Sequence, residues 1–305
     1  MSDPLGEALH LLRMSGTFYA RSEFTAPWGL ELPPMTDCLM LHVMTSGRCM
    51  LEVNGEQREL ESGDLALVPH GLGHLLASGP NVRVAKLEDV PREEFGEGYE
   101  VLRHGGDGAA ATMICAAVRF DHPAARQLIE LLPNVIHVKA WTSPQMEWIQ
   151  STLRLMAVES REVRPGGATV VTRLADILVI QAIRSWIEQD AAAQTGWLGA
   201  FRDKQIGHAI AAIHRDPAQE WTVESLADVA AMSRSAFAAR FKELVGESPM
   251  QYVAGWRMRV AAMWLREDDA TVADLANRLG YQSEAAFSRA FKRVMGVAPG
   301  GFGVR

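Results

Sequence analysis

Three side chains in the N-terminal half have the types that do chemistry inside an apolar setting: His42, His74 and Cys115. Imidazole nitrogens and a thiol can hold a transition metal ion, and they can equally serve as hydrogen-bonding groups in or beside a ligand pocket. Their spacing leaves both readings open. Near the C-terminus the candidate chemistry is of another kind. Arg234, Arg240 and Lys242 cluster in one short segment, and Arg289, Lys292 and Arg293 in a second. A guanidinium can read guanine O6 and N7 in the major groove, while ammonium groups and helix-capping amides hold phosphates.

These basic residues are positioned by an imperfect repeat. Thr222–Pro249 and Thr271–Pro299 match at Thr222, Leu226 and Ala227 against Thr271, Leu275 and Ala276. After a one-residue insertion in the second copy, Phe237, Phe241, Lys242, Gly246 and Pro249 match Phe287, Phe291, Lys292, Gly296 and Pro299. Two copies are too few for a solenoid. In each, a short apolar helix (Leu226, Ala227, Val229, Ala230; then Val272, Leu275, Ala276, Leu279) leads into a tight turn, Met232-Ser233 or Gly280-Tyr281-Gln282. Ser233 can cap a second helix over 234–245 with a stripe of Phe237, Phe241 and Leu244, and Ser283 one with Phe287, Phe291 and Val294. Gly246 and Gly296 are natural helix ends, and the prolines stop continuation.

That order of elements is a helix-turn-helix, whose second helix enters the major groove N-terminal end first. The residues off the Phe stripe then face DNA. They are Ser233, Arg234, Ser235, Ala238, Ala239, Arg240 and Lys242 in the first unit, and Ser283, Glu284, Ala285, Ala286, Arg289, Lys292 and Arg293 in the second. Met250 to Glu267 reads as one connecting helix through Tyr252, Trp256, Val260, Met263 and Trp264. Its length of roughly 26 Å suits two reading helices set about one DNA turn (~34 Å) apart.

Residues 205–305 resemble the DNA-binding domain of the AraC/XylS family of bacterial transcription regulators. The tandem units, the linking W-R-M-R-V-A-A-M-W-L and the closing S-E-A-A-F-S-R-A-F-K-R-V-M-G-V-A-P carry the resemblance. It implies double-stranded DNA as partner, a homodimer on paired half-sites, and contact with RNA polymerase. One departure is Ala238 and Ala239, where relatives often carry longer polar residues. That points to less base readout by the first unit, or readout through thymine methyl groups.

In the N-terminal half, strands are expected over 38–45, 48–54, 57–60, 64–69, 73–78, 82–87 and 111–119, with Asn54-Gly55 as a hairpin turn. Many short strands with Gly-rich turns suggest a β-barrel or jelly roll. Gly63 to His74 resembles the second signature motif of the cupin fold, and the stretch from Asp3 to about Trp186 resembles the cupin sensor of some AraC-type regulators. W-G-L at 28–30 and F-D-H-P-A-A-R-Q-L-I-E-L-L-P at 120–133 add to that likeness. Enzymatic cupins hold a metal with His-x-His, a Glu and the second-motif His. Here His74 fits the last position, Met40 falls at the Glu position, and no histidine occurs near Pro33–Met35. The resemblance therefore implies a ligand-binding or structural barrel with no catalysis, no metal and no cofactor. Trp28, Met40, His42, Met44 and His74 are the candidate effector-pocket residues. His70, between Pro69 and Gly71, reads as a turn residue, and His104 as a loop residue.

The 305-residue chain, 48% apolar, is long enough for two cored domains. Its net charge of −7 is unevenly placed. Residues 1–200 carry 16 basic and 25 acidic side chains, and residues 201–305 carry 14 and 12. DNA binding must then depend on where charges sit rather than on bulk charge. Three cysteines without paired spacing suggest reduced thiols in the cytoplasm. The first residues read as a short amphipathic helix rather than a signal peptide, and no apolar run suits a membrane span.

Helices are expected over 123–132, Pro144–Glu162 and Val170–Gln189, with a turn at 164–167. The last two form a helical hairpin that either dimerises the chain or packs on the barrel, dimerisation being the preferred reading. Residues 190–204 read as a hinge. The expected architecture is α+β and multidomain. It has a cupin-like sensor at 1–135, a helical dimerisation and linker segment at 136–200, and an all-α tandem helix-turn-helix domain at 201–305. The expected function is a sequence-specific transcription regulator controlled by a small-molecule effector. The rivals are a constitutive DNA-binding regulator whose barrel only dimerises, and a metal-dependent cupin enzyme.

Overall fold

A computed structural model of the chain describes residues 14–96, 99–120, 129–139, 166–189, 203–267 and 270–302, with short stretches at 151–152, 154–156, 158–159 and 199–200. The expected N-terminal helix, most of the helices over 123–132 and 144–162, and most of the hinge over 190–204 lie outside the described residues. The chain divides into a sheet-rich unit drawn from 14–120 and 129–188 and a helical unit drawn mainly from 189–305.

The sheet-rich unit holds twelve strands among the described residues. They are β1 (Met14–Thr25), β2 (Gly29–Leu32), β3 (Cys38–Ser46), β4 (Arg48–Val53), β5 (Glu56–Glu61), β6 (Leu65–Val68), β7 (His74–Ala77), β8 (Val84–Lys86), β9 (Arg92–Gly96), β10 (Tyr99–Gly105), β11 (Ala110–Phe120) and β12 (Ile136–Val138). One sheet runs β12-β6-β3-β11-β1-β10-β9, the other β5-β4-β7-β2-β8. Asn54 and Gly55 sit at φ 50° and 79° between paired Val53 and Glu56. Both central residues therefore have the positive φ that a two-residue type I′ hairpin requires.

Period-2 alternation selects the inward residues. On β4, Cys49, Leu51 and Val53 are buried while Arg48 is exposed. Phe24, Trp28, Leu30, Met40, Met44, Leu76 and Met113 join them from both sheets in one buried cluster. Side chains of this size each contribute about 1.5–3 kcal/mol on full burial.

The seven expected strands appear as β3 to β8 and β11. β1, β2, β9, β10 and β12 were not foreseen, and His104 lies in β10 rather than in a loop.

Helix α1 (Gly167–Gln189) buries Val171, Ala175, Leu178, Ala182 and Ile187 on one face. Its Thr172 and Asp176 lie beside Tyr19 of β1. Burial, reinforced by the Asp176 charge, pushes the Tyr19 phenol up to about 12. Burial also raises the Asp176 carboxyl, against the pull of Arg173. Part of this helix therefore packs against β1 within its own unit. Val170 and Ile177 remain exposed.

The helical unit contains α2 (Lys204–Arg215), α3 (Val223–Val229), α4 (Arg234–Val245), α5 (Pro249–Glu267), α6 (Val272–Arg278) and α7 (Glu284–Met295). Asp203 caps α2 by accepting from the amides of Gln205 and Ile206. The 19 residues of α5 make a rod of ~28 Å. Tyr252 and Trp256 of α5 are fully buried. His214 of α2 stacks on Trp256 at 3.7 Å between centroids and hydrogen-bonds the Tyr252 hydroxyl at 2.7 Å. These contacts key the first helix of the unit to its central rod.

Candidate nucleic-acid interface and barrel interior

Each expected pair of helices is built by its own local chemistry. Thr222 and Ser225 form a reciprocal capping box at the start of α3, and Thr271 and Asp274 do the same for α6. Ser233 caps α4 by accepting from the Ala236 amide, and Ser283 caps α7 by accepting from Ala286. Both reading helices end at a left-handed glycine, Gly246 and Gly296. Phe237, Phe241, Phe287 and Phe291 are wholly buried. Two stripe residues differ from expectation. Val294 and Val229 are exposed, and Ala290 takes the buried place beside Phe287 and Phe291. Val294 falls in the last turn of α7, where the apolar stripe has already left the packed face.

The opposite faces of α4 and α7 carry the candidate DNA-facing set. Ser233, Arg234, Ser235, Ala239, Arg240, Lys242, Ser283, Glu284, Ala285, Arg289, Lys292 and Arg293 are exposed, while Ala238 and Ala286 are half-buried. The cations are not equally available. Arg240 is held by Asp203 at 3.2 Å and by Glu243 at 3.0 Å. Its partner Asp203 is also the α2 cap, so Arg240 ties the first reading helix to the start of the unit. Arg234 lies 3.7 Å from Glu224. Among the described residues, Arg289 and Lys292 have no such tether.

A second arginine ties the two helix-turn-helix units together. Arg257 of α5 donates to the carbonyls of Pro217 at 2.7 Å and Gln219 at 2.8 Å, in the loop before α3. Its guanidinium also sits 5.9 Å from the ring centroid of Tyr281, in the turn before α7. Arg257 carries no signal of this role in the sequence, because its partners are brought near only by the fold.

In the sheet-rich unit, the candidate pocket residues converge. Met40, His42 and Met44 alternate on β3. Cys115 is the cross-strand partner of His42 on β11. His74 comes from the other sheet, at the start of β7. Gly71 shapes the approach to it: at φ +60° a Cβ there would lie 2.0 Å from the Met35 carbonyl oxygen, so only glycine fits. His42 Nε2 meets His74 Nε2 at 2.7 Å, and His42 Nδ1 meets Cys115 Sγ at 3.2 Å. His74 Nδ1 lies 2.8 Å from the Leu72 carbonyl, and Ser22 Oγ lies 3.9 Å from Cys115 Sγ.

This network sets the direction of every proton in the neutral state. The Leu72 carbonyl can only accept, so His74 Nδ1 carries a hydrogen and its Nε2 is a lone pair. His42 must then donate from Nε2, which leaves Nδ1 to accept from the Cys115 thiol. Burial holds His42 well below the ordinary imidazole range, with the neighbouring His74 adding to it, and burial also lowers His74. Burial pushes the Cys115 thiol up to about 12, against a lowering contact from Ser22. The chain is therefore a set of neutral groups with each proton assigned. Trp28 adds one more polar atom: its buried indole Nε1 has no hydrogen-bond partner among the described residues.

A cupin metal does not fit these residues. Met40 is a poor substitute for the carboxylate, and the two nitrogens of His42 point to different partners, so one ion cannot take His42, His74 and Cys115 together. Among the described residues, no group of three or more His, Cys, Asp or Glu side chains is disposed to hold a metal ion. The same residues therefore offer hydrogen bonding and proton transfer rather than coordination. Elsewhere, His137 Nε2 pairs with Asp64 at 2.9 Å, and His70, in its expected turn, bonds the Leu132 carbonyl at 2.8 Å. These contacts fasten the 129–138 segment to the sheets.

Comparison with known proteins agrees with both halves. A cupin family profile matches residues 3–188, and a helix-turn-helix domain profile matches residues 226–303. The chain is 35% identical over 303 residues to a putative AraC-like transcription regulator of Streptomyces lividans, covering 98% of this chain and 97% of that protein. It is 29% identical over 300 residues to the HTH-type transcriptional regulator AlkR of Acinetobacter baylyi, covering 97% of each. Among solved structures, it is similar to the DNA-binding domain of AdpA in complex with a target DNA. That match has 32% identity over 31% of this chain and 85% of the other, with a TM-score of 0.30.

Proposed function

The chain belongs to the AraC-like family of DNA-binding transcription regulators, and from that premise we propose that its cupin-type half senses a small molecule and its tandem helix-turn-helix half reads a specific operator. The observation that carries the reading is the pair of capped helices α4 and α7, each burying its Phe stripe and exposing a polar, basic face. The residues proposed to meet DNA are those on the exposed faces, with Arg289 and Lys292 at the centre of the second set. Trp28, Met40, His42, Met44 and His74 are proposed to line the effector site. Their convergence between the two sheets supports this. The working form is a cytoplasmic homodimer that contacts RNA polymerase and has no enzymatic turnover. Effector binding would shift the population of dimers able to engage both half-sites.

The test is selection of genomic DNA fragments by the purified full-length protein, sequenced and scored for a shared motif. A motif with two adjacent half-sites is the expected result. Failure to enrich any motif with the full chain and with residues 201–305 alone would sink the operator reading. The constitutive alternative draws support from the closely filled interior, where Trp28, Met40 and Met44 are all buried. A ligand that raises the melting temperature of the full chain and alters operator binding decides for the sensor.

A further inference from the structure

We propose that Arg257 is a positioning residue that fixes the base-pair spacing at which α4 and α7 of one chain seat together in DNA. The proposal rests on the operator reading above and adds a spacing rule to it. Each helix-turn-helix unit has its own contact with the rod α5. In the first, His214 stacks on Trp256 and Phe241 meets Tyr252 edge-on at 5.6 Å between centroids. In the second, Arg278 of α6 lies 5.6 Å from the ring centroid of Trp264. Arg257 joins the two units directly. Its Nε and Nη2 donate to the carbonyls of Pro217 and Gln219, and its guanidinium faces the Tyr281 ring. Beside it, a Cβ on Gly280 would lie 2.9 Å from the Ala218 carbonyl oxygen. A bridge of this kind resists rotation of one unit against the other about the rod.

Both ends of the bridge are firm without it. In the loop before α3, the Gln219 amide donates to Asp216 Oδ1 at 3.1 Å and the Trp221 indole to the Asp216 carbonyl at 2.9 Å. The Trp221 amide donates to the Gln219 carbonyl at 2.7 Å. This loop leads into the Thr222 cap of α3. At the other end, Tyr281 meets Phe287 of α7 edge-on at 5.6 Å between centroids, and the Ser283 cap follows two residues later. The placement of Tyr281 is therefore the placement of the N-terminal end of α7, the end that enters the major groove. Neither the loop nor the turn needs Arg257 to hold its own shape, so what Arg257 adds is their relation to each other. A forked guanidinium can satisfy two carbonyls while facing a ring, and its charge strengthens both bonds. A lysine ammonium lacks that geometry.

The consequence is read in DNA. A base pair inserted between the two boxes moves the second by about 3.4 Å along the duplex and about 34–36° around it. Units locked in relative rotation cannot follow that displacement and lose one set of contacts. Units freed from the bridge can follow it. They then bind the native spacing less tightly, because their relative placement must be ordered at the moment of binding.

The experiment measures affinity of the full-length protein for the operator recovered by the selection above. Base substitution first maps the two boxes within one half-site, and duplexes are then made with a base pair added or removed between them. The wild-type chain should lose at least about tenfold in affinity on either change. Arg257→Ala should bind the native spacing more weakly and lose about threefold or less on either change. Arg257→Lys should resemble Arg257→Ala. A wild-type chain indifferent to spacing, or an Arg257→Ala penalty equal to that of the wild type, overturns the proposal. So does uniform weakening at all three spacings with a shallower salt dependence, which would make Arg257 a phosphate contact. Wild-type behaviour of Arg257→Lys overturns the forked bridge. Should Arg257→Ala fail to fold, Tyr281→Leu serves instead, since it keeps an apolar contact for Phe287 and leaves the loop bonds in place. Relaxed spacing then supports the proposal, and the wild-type penalty overturns it. Recovery of no motif by the wild-type chain defeats the operator reading and the spacing rule together, whereas a motif whose spacing Arg257 does not govern defeats the spacing rule alone.

Discussion

Arg240 and Arg289 lie one place apart on the aligned reading helices, seven and six residues after the capping Ser233 and Ser283, and the sequence treats both alike, as DNA-facing cations. The fold does not. Arg240 is engaged by Asp203 and Glu243, whereas Arg289 carries no such tether among the described residues. A guanidinium already paired must give up those contacts to reach a base, which reduces what it can add to DNA affinity. Arg289→Ala is therefore expected to weaken operator binding by about 1–3 kcal/mol. Arg240→Ala should cost distinctly less affinity and act mainly by loosening α4 from the α2 cap. Titration of both variants on the selected operator, with melting curves alongside, checks this; equal losses of affinity would refute the distinction. The difference was illegible in sequence because Asp203 lies 37 residues from Arg240. The His42–Cys115 pairing is hidden for the same reason, since it depends on the register of β3 against β11.

At the scale of elements, local signals were readable where local chemistry decides the structure. Thr, Ser and Gly at caps and Asn-Gly at a hairpin act on neighbours a few residues away, and α3, α4, α6, α7 and the β4–β5 turn all follow from them. β1 was missed because M-S-G-T-F-Y-A-R-S-E-F-T has an irregular alternation. Its register shifts between Gly16 and Phe18, and its partners β10 and β11 lie far along the chain. Non-local pairing also hides the junction between the helix-turn-helix units. Gly280, at φ +72°, would place a Cβ 2.9 Å from the Ala218 carbonyl oxygen, close to where Arg257 binds the same loop. Gly246, at φ +89°, has nothing within 4 Å. Gly246→Ala should show only left-handed backbone strain, about 1–2 kcal/mol. Gly280→Ala adds a backbone clash, so its melting temperature should fall further. It should also lose affinity for the paired operator, because the second turn must move away from the first unit. Indistinguishable melts for the two variants would remove the close approach from the account.

The whole molecule joins two units with separate cores and opposite charge balance. Residues 1–200 carry all of the acidic excess, while 201–305 are slightly basic, with six of their fourteen Lys and Arg side chains on the two reading helices. Separate cores should unfold as separate transitions, as multidomain proteins commonly do. The buried histidine pair supplies a way to tell them apart. His42 and His74 both have folded-state pKa values depressed below 6.5 by burial. As pH falls through 6.5, the unfolded chain takes up protons that the folded barrel refuses. Stability of the sheet-rich unit must then decline, and it goes on declining until pH reaches the depressed folded values. Asp176 has the opposite sign: its raised pKa makes the folded state the better proton acceptor, so it stabilises as pH falls, beginning nearer the carboxylate range. Calorimetry of the full chain at pH 8 and pH 5.5 should therefore show the sheet-rich transition moving to lower temperature. A His42→Leu, His74→Leu double variant replaces both partners by apolar groups and removes the proton sites together, so its transition should move much less. An equal shift in the double variant would place the acid sensitivity elsewhere. A single transition at both pH values would show that the two cores unfold as one, and the signal from barrel to reading helices would then travel through shared stability rather than through a change in how the dimer meets its half-sites.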